Sequence, residues 1–350
     1  MHSIHVSDIT NFLKCRRAWN WSSAIRDNLE AAKPYAPFYV GRAIHYCIEE
    51  NILHKTPYED SLDAFVLNER NQMGGVPADE IFALEENLDL VSGMLRHYDL
   101  TWGTESNQTF ANDKMEFLNV ELEFTVPLGI PGREDIVLSG RFDGVFQHLP
   151  SRTFWLWETK TTRSITELLN GLANNLQNYI YLWAMKQMDY LPVRGMLYNI
   201  LRKAAPTEPK LLQSGFLSQA KNMATTYAAY LDAIKRTHPT FDGRYINEYY
   251  GPHLYWLSQQ ENGFFLRHPI RRNDEELENV MAWVRQIALE MVNPSLPIYP
   301  NFNWMACNFC QFRNPCLMTD RGADITSVMQ TDYRRKVVSH SFRTSEENRD

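Results

Sequence analysis

One stretch, Leu138 to Thr161, limits what this chain can fold into more than any other. Its two runs, Leu138-Ser-Gly-Arg-Phe-Asp143-Gly-Val-Phe-Gln147 and Phe154-Trp-Leu-Trp-Glu158-Thr-Lys160-Thr161, are dominated by apolar and aromatic residues. The intervening His148-Leu-Pro-Ser-Arg152 is turn-like, so the pattern predicts a β-hairpin. A period of two places Glu158 and Lys160 on one face, and Asp143 near the end of the partner strand is positioned to face them. A carboxylate pair can hold a hard divalent cation through oxygen, and a neighbouring lysine can orient or help deprotonate a water. The same residues also suit the solvated face of an ordinary hairpin, so the rest of the chain must decide.

With 350 residues the chain can bury a large core as one domain or two. Nine Trp, 17 Tyr and 18 Phe argue for a packed globule rather than disorder. A formal net charge of −7 argues against nucleic acid wrapping the whole surface, while leaving a local basic groove open. No apolar run reaches the length of a membrane span, and Met1-His-Ser-Ile-His-Val lacks the basic and apolar regions of a secretory signal. The expectation is a soluble cytoplasmic protein with no membrane partner. No Walker-type phosphate loop is present, so no ATP-driven motor is expected.

Five cysteines form no small-domain disulfide pattern. Cys307, Cys310 and Cys316 make a C-x2-C-x5-C run, a spacing that suggests a metal or cluster site one ligand short. Cys15, flanked by Lys14, Arg16 and Arg17, is the candidate fourth ligand. Cys47 reads as a buried small apolar residue.

In chain order, Ser7 is the expected N-cap of a first helix that carries Ile9, Phe12 and Trp19 and encloses Cys15. After a loop with Pro34 and Pro37, a second helix begins near Phe38 and carries His45. Residues 56–102 read as helical, interrupted at Met73-Gly-Gly-Val-Pro77, with apolar Ile81, Leu84, Leu88, Val91 and Leu95. Leu118 to Val126 alternate as a half-buried strand leading into the hairpin. Beyond it, one long helix to about Met188 places Gln177 and Tyr181 on the same face. A strand over Val193–Leu201 ends at Arg202-Lys203, a phosphate-contact candidate. A helix at about 216–236, short strands at Tyr255–Leu257 and Phe264–Ile270, and a helix at Asn273–Val292 with an acidic first turn complete the pattern. The tail after Asp320 is polar and expected to be partly disordered.

Together these pieces resemble the PD-(D/E)XK nuclease superfamily, and within it the RecB-type branch with an iron–sulfur cluster, which includes AddB nuclease domains and CRISPR-adaptation exonucleases. Gly41-Arg-Ala-Ile-His45 resembles the branch's histidine motif, Gly140-Arg-Phe-Asp143 its aspartate motif and Glu158-Thr-Lys160 its E-x-K. Gln177-Asn-Tyr-Ile-Tyr181 fits its Q-x-x-x-Y helix, and Cys15 with Cys307, Cys310 and Cys316 fits its split cysteine pattern. Each motif alone is weak; five in the right order over residues 15–316 are specific. Residues 50–110 and 204–300 exceed what the smallest members need, and no helicase half is present.

The resemblance implies an α/β fold: a restriction-endonuclease-like mixed central sheet flanked by helices, with helical insertions and a C-terminal Fe–S cluster loop. It implies a single nuclease domain over 1–320, with 50–110 as a helical insertion, 300–317 as a cysteine segment paired with Cys15, and 321–350 as a tail. His45, Asp143, Glu158 and the carbonyl of Thr159 would hold Mg²⁺ or Mn²⁺, and the imidazole would favour Mn²⁺. Lys160 would position the attacking water, with Gln177 and Tyr181 in support. The four cysteines would hold a structural [4Fe–4S] cluster, with Zn²⁺ as the alternative. Arg16, Arg17, Arg163, Arg202 and Lys203, with the aromatics, would line a channel for single-stranded DNA.

The implied activity is a metal-dependent DNA exonuclease acting on single strands or duplex ends, in recombination, repair, phage or CRISPR-adaptation processing. The enzyme would act alone or with a separate helicase, recombinase or adaptation partner. The competing readings are a non-catalytic nucleic-acid-binding or scaffold subunit and a structure-specific endonuclease.

Overall fold

The computed structural model describes residues 1–32, 39–72, 78–104 and 109–336, with 72, 78–86 and 104 described by backbone alone. The chain runs β1 (His2–His5), α1 (Val6–Lys14), α2 (Arg16–Ser22), β2 (Leu29–Ala31), α3 (Tyr39–His54), α4 (Tyr58–Gln72) and α5 (Ala78–Thr104). Then come β3 (Met115–Pro127), β4 (Ile136–His148), β5 (Thr153–Thr162), α6 (Ile165–Leu172), α7 (Leu176–Met188) and β6 (Val193–Arg202). It continues with α8 (Tyr227–Thr237), α9 (Gly243–Ser258), β7 (Phe265–Ile270), α10 (Asp274–Val292), α11 (Trp304–Asn308), α12 (Arg313–Asp320), α13 (Thr326–Thr331) and β8 (Tyr333–Arg335). These elements divide into two compact units, one of residues 1–35, 125–140 and 278–350, the other of residues 36–124 and 141–277.

The expected hairpin is the spine of the second unit. β4 and β5 pair antiparallel from Gly144 opposite Trp157 to His148 opposite Thr153. β5 then pairs parallel with β6, from Leu156 opposite Met196 to Thr162 opposite Arg202, and β6 pairs antiparallel with β7. A parallel neighbour requires a crossover, which α6 and α7 supply. The result is a mixed sheet with helices packed on it. Gly195 is required where β6 meets the end of β7, because a Cβ there would lie 2.3 Å from the Ile270 carbonyl oxygen.

Helices α3, α4 and α5 share an apolar core. Val40, Ala43, Ile44, Cys47 and Ile48 from α3 meet Phe65, Val91, Met94, Leu95 and Tyr98, together with Leu201 and Phe265 at the sheet. The helical periodicity of α5 is thus met at Leu88, Val91 and Leu95; Ile81, Leu84 and the break at Met73–Pro77 lie outside what is described. Pro34 and Pro37 also lie outside it.

In the first unit, β1 pairs parallel with the start of β4, Ile4 opposite Leu138, and β2 pairs antiparallel with β8. Arg26 donates to the carbonyls of Met291 and Asn293, fastening α2 to the end of α10. Tyr333 stacks on Phe312, so residues to Lys336 are ordered, including α13 and β8. The rest of the predicted tail, 337–350, lies outside the described residues.

Five local expectations differ. The cap of α1 is His5, whose amide donates to Asp8 Oδ2 (3.2 Å), and Ser7 lies inside the first turn. Cys15 is not inside a helix: it is extended (φ −165°, ψ 115°) and separates α1 from α2. The long helix before Met188 breaks at Ala173–Asn175, where Asn175 caps α7 through the Gln177 amide. Tyr255–Leu257 is not a strand but the end of α9, and the helix expected at 216–236 begins only at Tyr227. Aromatic β-formers suggested the strand, but Tyr250, Leu254 and Leu257 fall on one helical face and pack on Tyr230, Ala233 and Ile234 of α8.

Candidate active site

The expected catalytic residues meet in the second unit, carried by four elements. Lys160 Nζ donates to Glu158 Oε1 (2.5 Å), as the two-residue period on β5 requires. Gln177, in the first turn of α7, donates through Nε2 to the same oxygen (2.9 Å). Tyr181, one turn later, lies beside Gln177 and packs edge-on against Phe142 (5.1 Å) and Phe124 (5.8 Å). Asp143 Oδ2 accepts from the Thr159 amide (2.8 Å) where β4 and β5 diverge. His45 on α3 lies 3.4 Å from the same Asp143 oxygen through Nδ1. Gly41, one turn before His45, lies against β5: a Cβ there would stand 3.4 Å from Thr161 Oγ1, an ordinary contact.

The electrostatics are those of a buried carboxylate, Glu158, and a half-buried one, Asp143, short of positive charge. Burial first, then the Asp143 carboxylate, push Glu158 up to about 7, against the pull of Lys160. Burial also raises Asp143. Burial alone would lower Lys160, but Glu158 and Asp143 outweigh it and hold the amine above its ordinary value. His45 is lowered by burial. Glu158 Oε2 is buried with no hydrogen-bond partner among the described residues.

That orphaned oxygen, a second carboxylate, an imidazole and the Thr159 backbone form a hard oxygen-and-nitrogen donor set, and their chemistry fits Mg²⁺ or Mn²⁺. As they stand, no three His, Cys, Asp or Glu side chains among the described residues are gathered as a metal-binding group. Lys160 and Gln177 hold Glu158 Oε1, and the Thr159 amide holds Asp143.

A pH dependence follows. A carboxylate raised on folding binds more protons in the native than in the unfolded state between its two values, so native stability falls as pH rises through that window. Glu158 should therefore make the metal-free protein less stable as pH climbs from about 4.5 to about 7, and Asp143, raised by burial, adds to the fall. His45, lowered from 6.5, acts in the opposite direction below that value, so the clean range starts near 6.5. A cation competes with the same protons, so the rise in Tm given by saturating Mn²⁺ should be larger at pH 8 than at pH 6.5. Calorimetric melts with and without Mn²⁺ check this; a Tm increment that is flat or shrinks with pH contradicts it.

Residues 3–317 match the profile of the PD-(D/E)XK nuclease superfamily. The chain belongs to that superfamily. No curated protein matches the sequence. The match covers nearly the whole chain and both units, and membership makes this a nuclease by family, a class that typically uses Mg²⁺ or Mn²⁺. Among the described residues no helix is long and apolar enough to cross a membrane.

Sequence reasoning passed over a second ion pair beside the nuclease site. Arg141, inside the aspartate motif, pairs with Glu121 of β3. Glu121 sits at φ +54°, a left-handed kink that interrupts the strand's alternation and redirects its side chain. Burial pushes Glu121 up to about 8, relieved by Arg141 and reinforced by Glu49, Asp143 and Glu158. Arg141 also acts electrostatically on Asp143, His45 and Tyr181, which places its charge at the site. Leu118, Val120, Leu122, Phe124 and Val126 alternate without a break, so the sequence carried no signal of the kink.

The four cysteines of the split pattern all lie in the first unit, partly exposed and free of disulfides. The extended backbone at Cys15 presents its thiol between two helices, where Sγ accepts from the Asn301 amide (3.4 Å). Arg17 donates to Cys316 Sγ (3.3 Å). Cys310, raised by burial, also feels Cys15, Cys316 and Cys307, so the four share one neighbourhood. They do not form a closed metal-binding group. Cys47 is buried in α3, as expected. Of the proposed basic set, Arg16 pairs with Glu290 and Arg17 with Asp320 in the first unit, whereas Arg163, Arg202 and Lys203 belong to the second.

Proposed function

We propose that this nuclease is a metal-dependent DNA exonuclease acting on single strands or duplex ends, with a structural [4Fe–4S] cluster at Cys15, Cys307, Cys310 and Cys316. The observation that carries the catalytic part is the convergence of His45, Asp143, Glu158, Lys160 and Gln177 from α3, β4, β5 and α7 around one pair of carboxylates. The exonuclease and cluster parts draw support from the order of the motifs and the grouping of the thiols. Zn²⁺ is the alternative metal for the cysteines.

His45, Asp143, Glu158 and the Thr159 carbonyl would hold Mg²⁺ or Mn²⁺. When bound, such an ion supplies Lewis-acid polarisation of the scissile phosphate and acidifies water. The chain's own residues do the rest. Lys160 stays protonated at neutral pH, so Nζ acts as a donor that orients the attacking water and faces the phosphate oxygen gaining charge, rather than as a base. Gln177 fixes the Glu158 carboxylate and lies beside Tyr181. Arg141 offers a guanidinium to a backbone phosphate once the strand displaces Glu121.

Circular and linear single-stranded DNA, the latter labelled at its 5′ or 3′ end, separate the modes of cleavage. An exonuclease should degrade the linear strand in Mn²⁺, lose one label first and leave the circle intact for the same period. Early nicking of the circle would make the protein an endonuclease. No cleavage of either would favour a nucleic-acid-binding subunit.

A further inference from the structure

Behind the catalytic strand, on the face away from Glu158 and Lys160, a polar row crosses three strands of the core. Thr159 on β5 lies opposite Asn199 on β6, and Asn199 opposite Arg267 on β7. All three are buried, Asn199 completely. Thr159 Oγ1 accepts from Trp157 Nε1 (3.1 Å) and Asn199 Nδ2 (3.5 Å). Asn199 Oδ1 accepts from the Tyr98 hydroxyl (3.1 Å), which in turn accepts from Arg267 Nη2 (3.0 Å). The guanidinium also donates to the Phe110 carbonyl and to Asn112 Oδ1 (2.7 Å), and lies over the rings of Trp102 (4.0 Å) and Trp157 (5.1 Å).

Stability alone does not account for this row. Among the described residues every acceptor of Arg267 is neutral, so there a full charge is buried without a counter-charge at its hydrogen bonds, where an apolar side chain of similar volume would pack at lower cost. The row ends on a residue whose backbone organises the front of the strand: the Thr159 amide holds Asp143 Oδ2, and that same oxygen faces His45 Nδ1 at 3.4 Å. A small rotation of that peptide would displace both groups and redirect Glu158 and Lys160 on either side.

We infer that Asn199, Tyr98 and Arg267 are positioning residues that act through Thr159 Oγ1 to fix the catalytic peptide in its metal-binding pose. The inference rests on the proposed metal site and deepens it. Outer partners of ligand-bearing groups typically change metal affinity 10- to 100-fold.

The test is calorimetric titration of the full-length protein with Mn²⁺ alone, beside thermal melts without metal. Thr159→Val keeps the shape and removes the acceptor; it should weaken Mn²⁺ about tenfold or more, and Thr159→Ser should restore affinity to within about threefold. Asn199→Leu should weaken Mn²⁺ comparably, whatever it does to Tm. Wild-type affinity in folded Thr159→Val and Asn199→Leu would overturn the inference while leaving the site intact. A wild-type protein that binds no Mn²⁺ would instead overturn the metal-site reading, and this inference with it.

Discussion

Glu158→Gln should abolish Mn²⁺-dependent cleavage while leaving the metal-free protein at least as stable as wild type at pH 8. The loss should be about a thousandfold or more, equivalent to about 4 kcal/mol of transition-state stabilisation at 1.36 kcal/mol per tenfold. The substitution keeps the side chain's size and an acceptor for Lys160, but removes an anion that burial and Asp143 disfavour. Displacement of that carboxyl from 4.5 to about 7 corresponds to about 3 kcal/mol of native-state penalty in the ionised form, an order-of-magnitude figure. A site arranged for function rather than stability should show this trade, activity lost and stability kept. Melts and single-turnover cleavage on the same preparation read both. A folded Glu158→Gln variant that cleaves within about tenfold of wild type would remove Glu158 from the mechanism. A variant that melts far below wild type would mean that the Lys160 ion pair outweighs the repulsion.

Cys310→Ser should remove bound iron and sulfide and lower the Tm by about 10 °C. Through the proposed cluster the four thiols would join the α1–α2 junction to a segment some 290 residues away, and closing a loop of that length limits the unfolded chain. By analogy with a cross-link of comparable span, the stabilisation is on the order of 4–5 kcal/mol, which at about 2–4 °C per kcal/mol gives the shift expected. Cys47→Ser makes the contrast, since Cys47 is buried in α3 apart from the set, and its loss should leave iron content unchanged. Colourless wild-type protein with one zinc per chain and no acid-labile sulfide would assign the cysteines to zinc. Absence of both metals would leave them as ordinary thiols.

The features legible in the sequence were those that a short-range period controls. Period-two alternation placed the hairpin and the Glu158–Lys160 pair, and the helical repeat put Gln177 and Tyr181 one turn apart, where both reach the same side of the site. What local pattern could not supply was the chain's behaviour at breaks. The kink at Cys15 interrupts an amphipathic run that reads continuously, and α9 is rich in aromatic residues that favour strands in isolation. The pairing of His45 with Asp143 needs α3 to cross β5, a tertiary fact that only the motif resemblance anticipated. Asn199 and Arg267 stood in plain view as polar interruptions of apolar strands. Their meaning depends on register across three strands, which one sequence does not specify.

The most direct test of the catalytic site is single-turnover cleavage of end-labelled single-stranded DNA by wild type, Asp143→Asn and Lys160→Met, each in Mn²⁺ and in EDTA. Cleavage by wild type in Mn²⁺, none in EDTA and at least a thousandfold loss in both variants with native-like melts is the predicted result. Equal cleavage by wild type and either variant, or cleavage that persists in EDTA, would contradict it.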